Sequence, residues 1–292
     1  LGKISLESAF MQRKIWCDGW AGINLFLCQT LFSDMKIRLI ILGAVASWAV
    51  MSGLAEPLPK ADGKVSATTL PLDAKTSKVK FETATFGLGW FWGPDSEFGS
   101  LKGVLRTRVG YAGGEKADPT YYSLGKHTEV ISIDYDPEVL KYEDLLEIFW
   151  SAHRCDQINT SRQYMNAVFY HDESQKIAAE NSRSGAAVKQ GLEVDAVQTT
   201  IASVGKFTYA EGYHQKYYLT RFEEIRDILT KAYKTEKELA DSTVATRLNA
   251  YLGSGMKRDW AIFIKELPDY GMPEELEKAL SKAAVRMLEG AK

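Results

Sequence analysis

The stretch that most constrains the fold is a β-prone run that passes through a glycine- and aromatic-rich turn into a helical pattern. Residues 78–86 (KVKFETATF) alternate between polar and apolar side chains, as a half-buried strand does. The turn that follows reads GLGWFWG over residues 87–93, and Pro94 with Asp95 then has the composition of a first helical turn. Backbone N–H groups and the positive end of a helix meet at such a turn, which makes it a candidate site.

The chain after this turn predicts a mixed sheet covered by helices. Strand patterns occupy residues 104–111, 127–135, 167–170 and 194–201, and helical patterns occupy 142–153, 173–189 and much of 221–292. The order β-α-β-β-α-β-α-β, with short links that suit hairpins, predicts an α+β domain. We expect two layers, a mixed β-sheet with helices, in an arrangement related to the ferredoxin-like split βαβ unit. The helical patterns after residue 220 predict a C-terminal helical extension.

Composition and charge exclude several functional classes. The 292 residues carry a net charge of -2, from 36 basic and 38 acidic residues, whereas a general nucleic-acid binder shows a basic excess. The three cysteines, Cys17, Cys28 and Cys155, have no close C-x-x-C spacing, so no metal site is predicted. The glycine turn fits a dinucleotide loop poorly, because its third glycine comes one position late and large aromatics occupy it.

The N-terminal part of the chain is not expected to belong to the folded domain. Residues 35–55 (MKIRLIILGAVASWAVMSGLA) have the basic start, apolar middle and small C-terminal residues of a secretory signal peptide, and the alternative is an uncleaved membrane anchor. We interpret residues 1–34 as an upstream segment translated in frame and residues 56–77 as a linker. The mature, exported chain would then keep only Cys155, which cannot form an internal disulfide.

Glu129 is the most informative acid of the predicted strands. Strand side chains alternate between faces, so Glu129 points the same way as Ile131, Ile133 and Tyr135. One interpretation is a carboxylate at the rim of the core that reaches water past the end of the strand. The other is a carboxyl buried beside aromatics, whose pKa would be raised so that it could donate a proton.

Several segments together resemble one family. They are TFGLGWFWGPDSEF, RVGYAGG, DPTYYSLGKHTEVISIDYDPE, YEDLLEIFW, SRQYMNAVFYHDESQ and AEGYHQKYYL, in that order over about residues 79–220. They resemble successive blocks of type A peptide methionine-S-sulfoxide reductases. The resemblance implies the α+β fold of that family in a domain at residues 78–220, ahead of an extension at 221–292. It also implies reduction of methionine-S-sulfoxide, free or in proteins, by a thioredoxin-type dithiol without a bound cofactor; we expect a monomer.

The resemblance assigns roles to five residues of this chain. Phe91 and Trp92 match the aromatics that hold the S-methyl group of the substrate. Glu129 matches the carboxyl that protonates the sulfoxide oxygen, and Tyr121 and Tyr164 match hydroxyls that bind that oxygen. The chemistry agrees, because a sulfoxide becomes a better electrophile at sulfur once a neutral acid protonates its oxygen.

The chain departs from the family at the residue that performs the attack. The G-C-F-W-G motif of the family reads Gly89–Gly93 with Trp90 in the place of the nucleophilic cysteine. The C-terminal tail has none of the resolving cysteines found there in many members. Asn159 replaces an aspartate of the family in the simplest alignment. Residues 153–156 (HRCD) replace a run like His-Asp-Pro-Thr and bring in Cys155, either an incidental or a resolving thiol.

Three hypotheses follow from this departure. In the first, the natural residue at position 90 is a thiol or selenol nucleophile, because the selenocysteine codon UGA is sometimes translated as tryptophan. In the second, the natural protein does carry tryptophan at position 90, and the chain is an inactive relative that binds oxidised methionine or serves as an interaction domain. In the third, Cys155 has become the nucleophile.

Overall fold

The computed structural model of the chain describes residues 70–253 and 260–290. The predicted upstream segment at 1–34, the signal peptide at 35–55 and most of the linker at 56–77 lie outside the described residues. Within the described part no helix is long and apolar enough to cross a membrane.

The centre of the fold is a six-stranded mixed sheet with the order β5-β4-β1-β3-β2-β6. Strand β1 runs antiparallel to both of its neighbours, while β4 and β5 are parallel. In the register, Phe86 of β1 lies opposite Ile131 of β3, and Glu129 of β3 lies opposite Tyr111 of β2. The strands are β1 Glu82–Leu88, β2 Val104–Ala112, β3 Thr128–Tyr135, β4 Asn166–Tyr170, β5 Thr200–Ser203 and β6 Thr208–Tyr209.

Helices cover this sheet and continue beyond it. The α-helices are α1 Pro71–Thr76, α2 Trp92–Gly99, α3 Tyr142–Ser151, α4 Glu173–Lys189, α5 Tyr217–Thr220, α6 Glu223–Ala232, α7 Glu236–Ala240, α8 Thr243–Gly253, α9 Trp260–Glu266 and α10 Glu274–Gly290. Short 3₁₀ turns lie at Arg162–Tyr164, Val194–Ala196, Gly212–His214 and Leu267–Tyr270.

Two large apolar clusters hold these layers. The first packs the helix-facing side of the sheet against α2, α3 and α4, and it includes Phe86, Phe98, Ile133 and Phe149. The second is built almost wholly from α1 and the C-terminal helices, with Leu70 at its N-terminal end. Apolar burial contributes about 25 cal/mol for each Å² removed from water, so both clusters stabilise the described part of the chain.

The predicted α+β class is confirmed, with a mixed sheet, covering helices and C-terminal helices in the predicted order. The expected strand at 194–201 is shorter, because residues 194–196 form a 3₁₀ turn and pairing with β4 begins at Thr200. The first strand begins at Glu82, where pairing with β3 starts, and Phe81 before it is exposed. Strand β6 was not predicted, since two residues show no periodicity.

Residues 71–76, which composition places in the linker, form helix α1. Leu70 before it is buried in the second cluster. Asp73 accepts hydrogen bonds from the backbone N–H groups of Thr243 and Val244, at the start of α8. A polar, proline-rich sequence therefore forms a helix here because contacts distant in sequence stabilise it.

Candidate active site

The glycine turn places the side chain of residue 90 at the surface of the site. Strand β1 ends at Leu88, and Gly89 takes a φ of 71°, a left-handed conformation that favours glycine. Trp90 is 61% exposed, and its ring centroid lies 6.4 Å from those of both Trp92 and Tyr164. Helix α2 begins at Trp92, so a nucleophile at position 90 would lie close to the helix N-terminus.

Phe91 and Trp92 form an aromatic pocket with residues from the end of the domain. Phe91 is buried, with its ring centroid 5.1 Å from that of His214. The Trp92 ring stacks on Tyr217 at 3.8 Å and 6°, and its indole N–H donates to His214 Nδ1 at 3.3 Å. These rings form an aromatic surface beside residue 90, called the aromatic pocket below, and a small apolar group such as a methyl can pack against it.

Glu129 is buried, not solvated at the rim of the core. It is 2% exposed, and its carboxylate accepts hydrogen bonds from the side-chain amide of Gln163 at 2.8 Å and from the backbone N–H of Phe91. Burial raises its pKa, and the two hydrogen bonds offset this only in part, so the pKa is about 7. A carboxyl with this pKa can donate a proton near neutral pH.

The two predicted tyrosines meet beside this acid. The hydroxyl oxygens of Tyr121 and Tyr164 are 3.4 Å apart. Burial, the hydrogen bond to Tyr121 and the charge of Glu129 together raise the pKa of Tyr164, which keeps its hydroxyl protonated. Asn159 donates a 2.6 Å hydrogen bond to the Tyr164 carbonyl, so this residue orients the tyrosine backbone. The hydroxyl pair can donate hydrogen bonds to an oxygen of a ligand.

Several side chains that contact the site residues were not predicted from the sequence. Glu211 accepts hydrogen bonds from the Tyr121 N–H at 2.9 Å and from the Tyr111 hydroxyl at 2.7 Å. Burial raises the pKa of Glu211, but these hydrogen bonds outweigh burial and the net pKa is lowered. The segment AEGYHQKYYL was recognised as a block, yet no pattern in it indicated which of its side chains contact the pocket; among them are His214 and Tyr217.

Cys155 lies in the first apolar cluster. Its side chain is fully buried, and its backbone N–H donates to Gln190 while its carbonyl accepts from the Gln198 N–H. Burial raises the pKa of the thiol, so little thiolate exists near neutral pH. Its proposed role as a resolving thiol therefore requires the thiol to leave the core.

The family model for peptide methionine sulfoxide reductase matches residues 82–246, more than half of the chain. The chain belongs to the peptide methionine sulfoxide reductase family. The matched range contains every residue of the aromatic pocket and the buried acid. The resemblance inferred from the sequence blocks is therefore confirmed at the level of the family, while the nature of residue 90 stays a prediction.

Individual relatives of this family are similar over much of the chain. The peptide methionine sulfoxide reductase of Drosophila melanogaster is 45% identical, over 58% of this chain and 68% of that protein. The peptide methionine sulfoxide reductase A5 of Oryza sativa subsp. japonica is 38% identical, over 61% and 70%. Among solved structures, methionine sulfoxide reductase A of Corynebacterium diphtheriae is 26% identical, covers 59% of this chain and 87% of that chain, and has a TM-score of 0.45.

No group of three metal-ligating side chains occurs within residues 70–253 and 260–290. The described site offers an aromatic pocket, a carboxyl with a pKa of about 7, a pair of hydroxyl donors and a helix N-terminus. This combination suits an electrophile that has a methyl group on one side and a basic oxygen on the other.

Proposed function

We propose that this protein reduces methionine-S-sulfoxide to methionine, in oxidised proteins and as the free amino acid. The observation that carries the proposal is the buried carboxyl of Glu129, which is held by the Phe91 N–H next to the pocket and has a pKa raised to about 7. The pocket formed by Phe91 and Trp92 would take the S-methyl group, while Tyr121 and Tyr164 would bind the sulfoxide oxygen.

The reaction divides into reduction of the substrate and regeneration of the enzyme. A thiolate or selenolate at residue 90 attacks the sulfoxide sulfur while Glu129 gives its proton to the oxygen, so that a bond joins residue 90 to the substrate sulfur. The hydroxyl group then moves from that sulfur to residue 90, and the new bond breaks with its electron pair left on the methionine sulfur. The products are methionine and a sulfenic or selenenic acid on residue 90, which now carries the oxygen. Two thiols of a dithiol reductant return residue 90 to the reduced state and become a disulfide, and the oxygen leaves as water.

We also propose that the natural residue at position 90 is selenocysteine. The side chain of Trp90 is mostly exposed and lies between Trp92 and Tyr164, so it contributes little to the core. A smaller side chain at position 90 is therefore expected to leave the core intact. A selenol is ionised at neutral pH, and the adjacent N-terminus of α2 would stabilise its charge further. With tryptophan at position 90, the chain has no nucleophile at this position.

The burial of Cys155 and the sequence of residues 35–55 support proposals for the reductant and for the compartment. Because Cys155 is buried, we propose that a thioredoxin-like dithiol acts directly on residue 90 of a monomeric enzyme. Residues 35–55 direct the chain to the secretory pathway, and cleavage near Ala55 releases it. N-terminal sequencing of the exported protein tests this: a mature start shortly after residue 55 is expected, and retention of Met35 would contradict it.

The test of the proposed activity is turnover of the S and R epimers of N-acetylmethionine sulfoxide with dithiothreitol. Trp90→Cys should reduce the S epimer, and the chain with Trp90 should not. In the Trp90→Cys protein, Glu129→Gln should lower kcat/KM by about 10²–10⁴-fold, the usual contribution of general acid catalysis. Turnover by the Trp90 chain, or none by a folded Trp90→Cys protein, would overturn the proposal.

A further inference from the structure

Helix α8 packs against the active-site helix α2 through buried polar contacts. The hydroxyl of Ser96 on α2 donates to the carbonyl of Ala250 at 3.3 Å, and the N–H of Thr107 on the adjacent strand β2 donates to the Thr246 hydroxyl at 3.2 Å. The match to the family model ends at residue 246, so most of α8 lies beyond it. The contacts that residues 247–253 make with α2 therefore lie beyond the part of the chain that the family model matches.

Asn249 is the central residue of this contact. It is fully buried, and its side-chain N–H donates to Asp95 Oδ2 at 3.0 Å. Its side-chain oxygen accepts the backbone N–H groups of Tyr218 and Leu219, both at 3.1 Å. Those N–H groups belong to the first turn of α5, which lacks a side-chain cap of its own. Asn249 thus caps one helix while it binds the first turn of another.

A buried ion pair strengthens the same connection. Asp95 Oδ1 lies 3.2 Å from Lys216 Nζ and accepts a hydrogen bond from the Thr107 hydroxyl at 2.5 Å. The Lys216 ammonium also donates to the Thr107 carbonyl. Lys216 is fully buried and immediately precedes α5. Because an isolated charge would be costly in this interior, Asp95 and Lys216 have little freedom to separate.

The two segments that Asn249 connects are the two that hold the Trp92 ring. Asp95 follows Trp92 by three residues, about one helical turn, on α2. Tyr217, which stacks on Trp92, directly precedes Tyr218. We propose that Asn249 is a positioning residue for the substrate pocket, which keeps Trp92 stacked on Tyr217 and bonded to His214 by fixing α2 to α5. The C-terminal helices would then set the shape of the methyl pocket.

Arg247 provides a matched control on the same helix. Its guanidinium donates to the carbonyls of Gly99 at 2.9 Å, Leu101 at 2.8 Å and Val104 at 2.9 Å. It therefore fixes α8 to the C-terminal end of α2, away from Trp92. Arg247→Met removes three hydrogen bonds and should destabilise the fold without disturbing the pocket.

The primary readout is the indole N–H of Trp92 in the full chain with Trp90, observed by ¹⁵N NMR and assigned by its loss in Trp92→Phe. In Asn249→Ala and Asn249→Asp this resonance should shift, and its exchange with solvent should accelerate about tenfold, as expected when one hydrogen bond is lost. Arg247→Met should leave it unchanged. If Asn249→Ala does not fold, Asn249→Asp is the deciding variant, because it keeps the acceptor for α5 and replaces the donor to Asp95 by a second carboxyl group.

The role in substrate binding rests on the proposed function and has a separate readout. In the Trp90→Cys protein, Asn249→Asp should raise KM for N-acetylmethionine-S-sulfoxide about tenfold with a smaller change in kcat. Arg247→Met should leave KM unchanged. An indole resonance that responds equally to Asn249 and Arg247 variants would overturn the positioning role. If Asn249→Asp shifts the indole resonance but leaves KM unchanged, the link between this residue and the substrate pocket is overturned. An inactive Trp90→Cys protein would count against the proposed function alone.

Discussion

The side-chain amide of Gln163 donates a 2.8 Å hydrogen bond to Glu129 Oε1, so a neutral group holds this buried carboxyl. Asp134, on the same strand, is also buried, but it binds the guanidinium groups of Arg106 and Arg108. Burial raises the pKa of both acids. At Asp134 the two cations outweigh burial and lower the pKa, whereas at Glu129 burial prevails and the pKa is about 7. One strand thus carries a permanently charged acid and an acid that can donate a proton.

Removing the Gln163 amide should extend activity to higher pH. Its hydrogen bond stabilises the carboxylate form, so Gln163→Leu should raise the pKa of Glu129 by about one unit. The alkaline decline of kcat/KM in the Trp90→Cys protein would then move upward by the same amount. The pH profile for the S epimer measures this shift, and Glu129→Gln, which should lack that decline, is the control. A decline that moves downward would contradict the assignment of Glu129 as the acid.

Glu129 should also make the fold less stable as pH rises. Its pKa lies near 4.5 when unfolded and about 7 when folded, so the folded state favours the protonated form. The stabilisation is complete below pH 4.5 and disappears as pH rises through 7, a loss on the order of 3 kcal/mol. Urea unfolding at several pH values should show this loss, and Glu129→Gln should remove it. Equal pH dependence in the two proteins would show that Glu129 is solvated.

Cys155 should resist alkylation in the native protein. Its thiol is fully buried and its pKa is raised, so the reactive thiolate is scarce and inaccessible. Peptide mass spectrometry after iodoacetamide treatment should find Cys155 unmodified until urea is added. The thiol of Trp90→Cys in the same sample is the control, and it should react first. Rapid native labelling of Cys155, or loss of turnover in Cys155→Ser with dithiothreitol, would favour this thiol as the nucleophile.

Asp73 should stabilise a helix that begins 170 residues later. Its Oδ1 caps α8 by accepting the N–H groups of Thr243 at 2.7 Å and Val244 at 3.1 Å. Asp73→Ala should lower the free energy of unfolding by about 1–2 kcal/mol, the usual effect of losing a helix cap. Ser77→Ala, which removes only a local hydrogen bond to Ala74, should change it by less than about 0.5 kcal/mol. Equal effects in urea titrations would mean that α1 does not support α8.

The sequence could predict the elements whose signals are local. Alternation placed Glu129 on the apolar face of β3, and the glycine turn followed by Pro94 predicted α2, which begins two residues earlier at Trp92. Pattern alone could not decide whether Glu129 is buried, because that depends on Phe91 and Gln163, which come from other parts of the chain. The sequence pattern also did not predict that Asn249 caps α5 or that α1 packs against α8, because each contact joins elements that are distant in sequence.

The central claim is that the natural protein carries a nucleophile at position 90, between the Gly89 turn and the methyl pocket. Mass spectrometry of the peptide that contains Gly89 and Phe91, taken from the natural source, tests it most directly. The account predicts a peptide with the isotope pattern of one selenium atom, and alkylation by iodoacetamide after reduction. A peptide with the mass of tryptophan at position 90 and no selenium would contradict the account and identify the chain as a relative without its nucleophile.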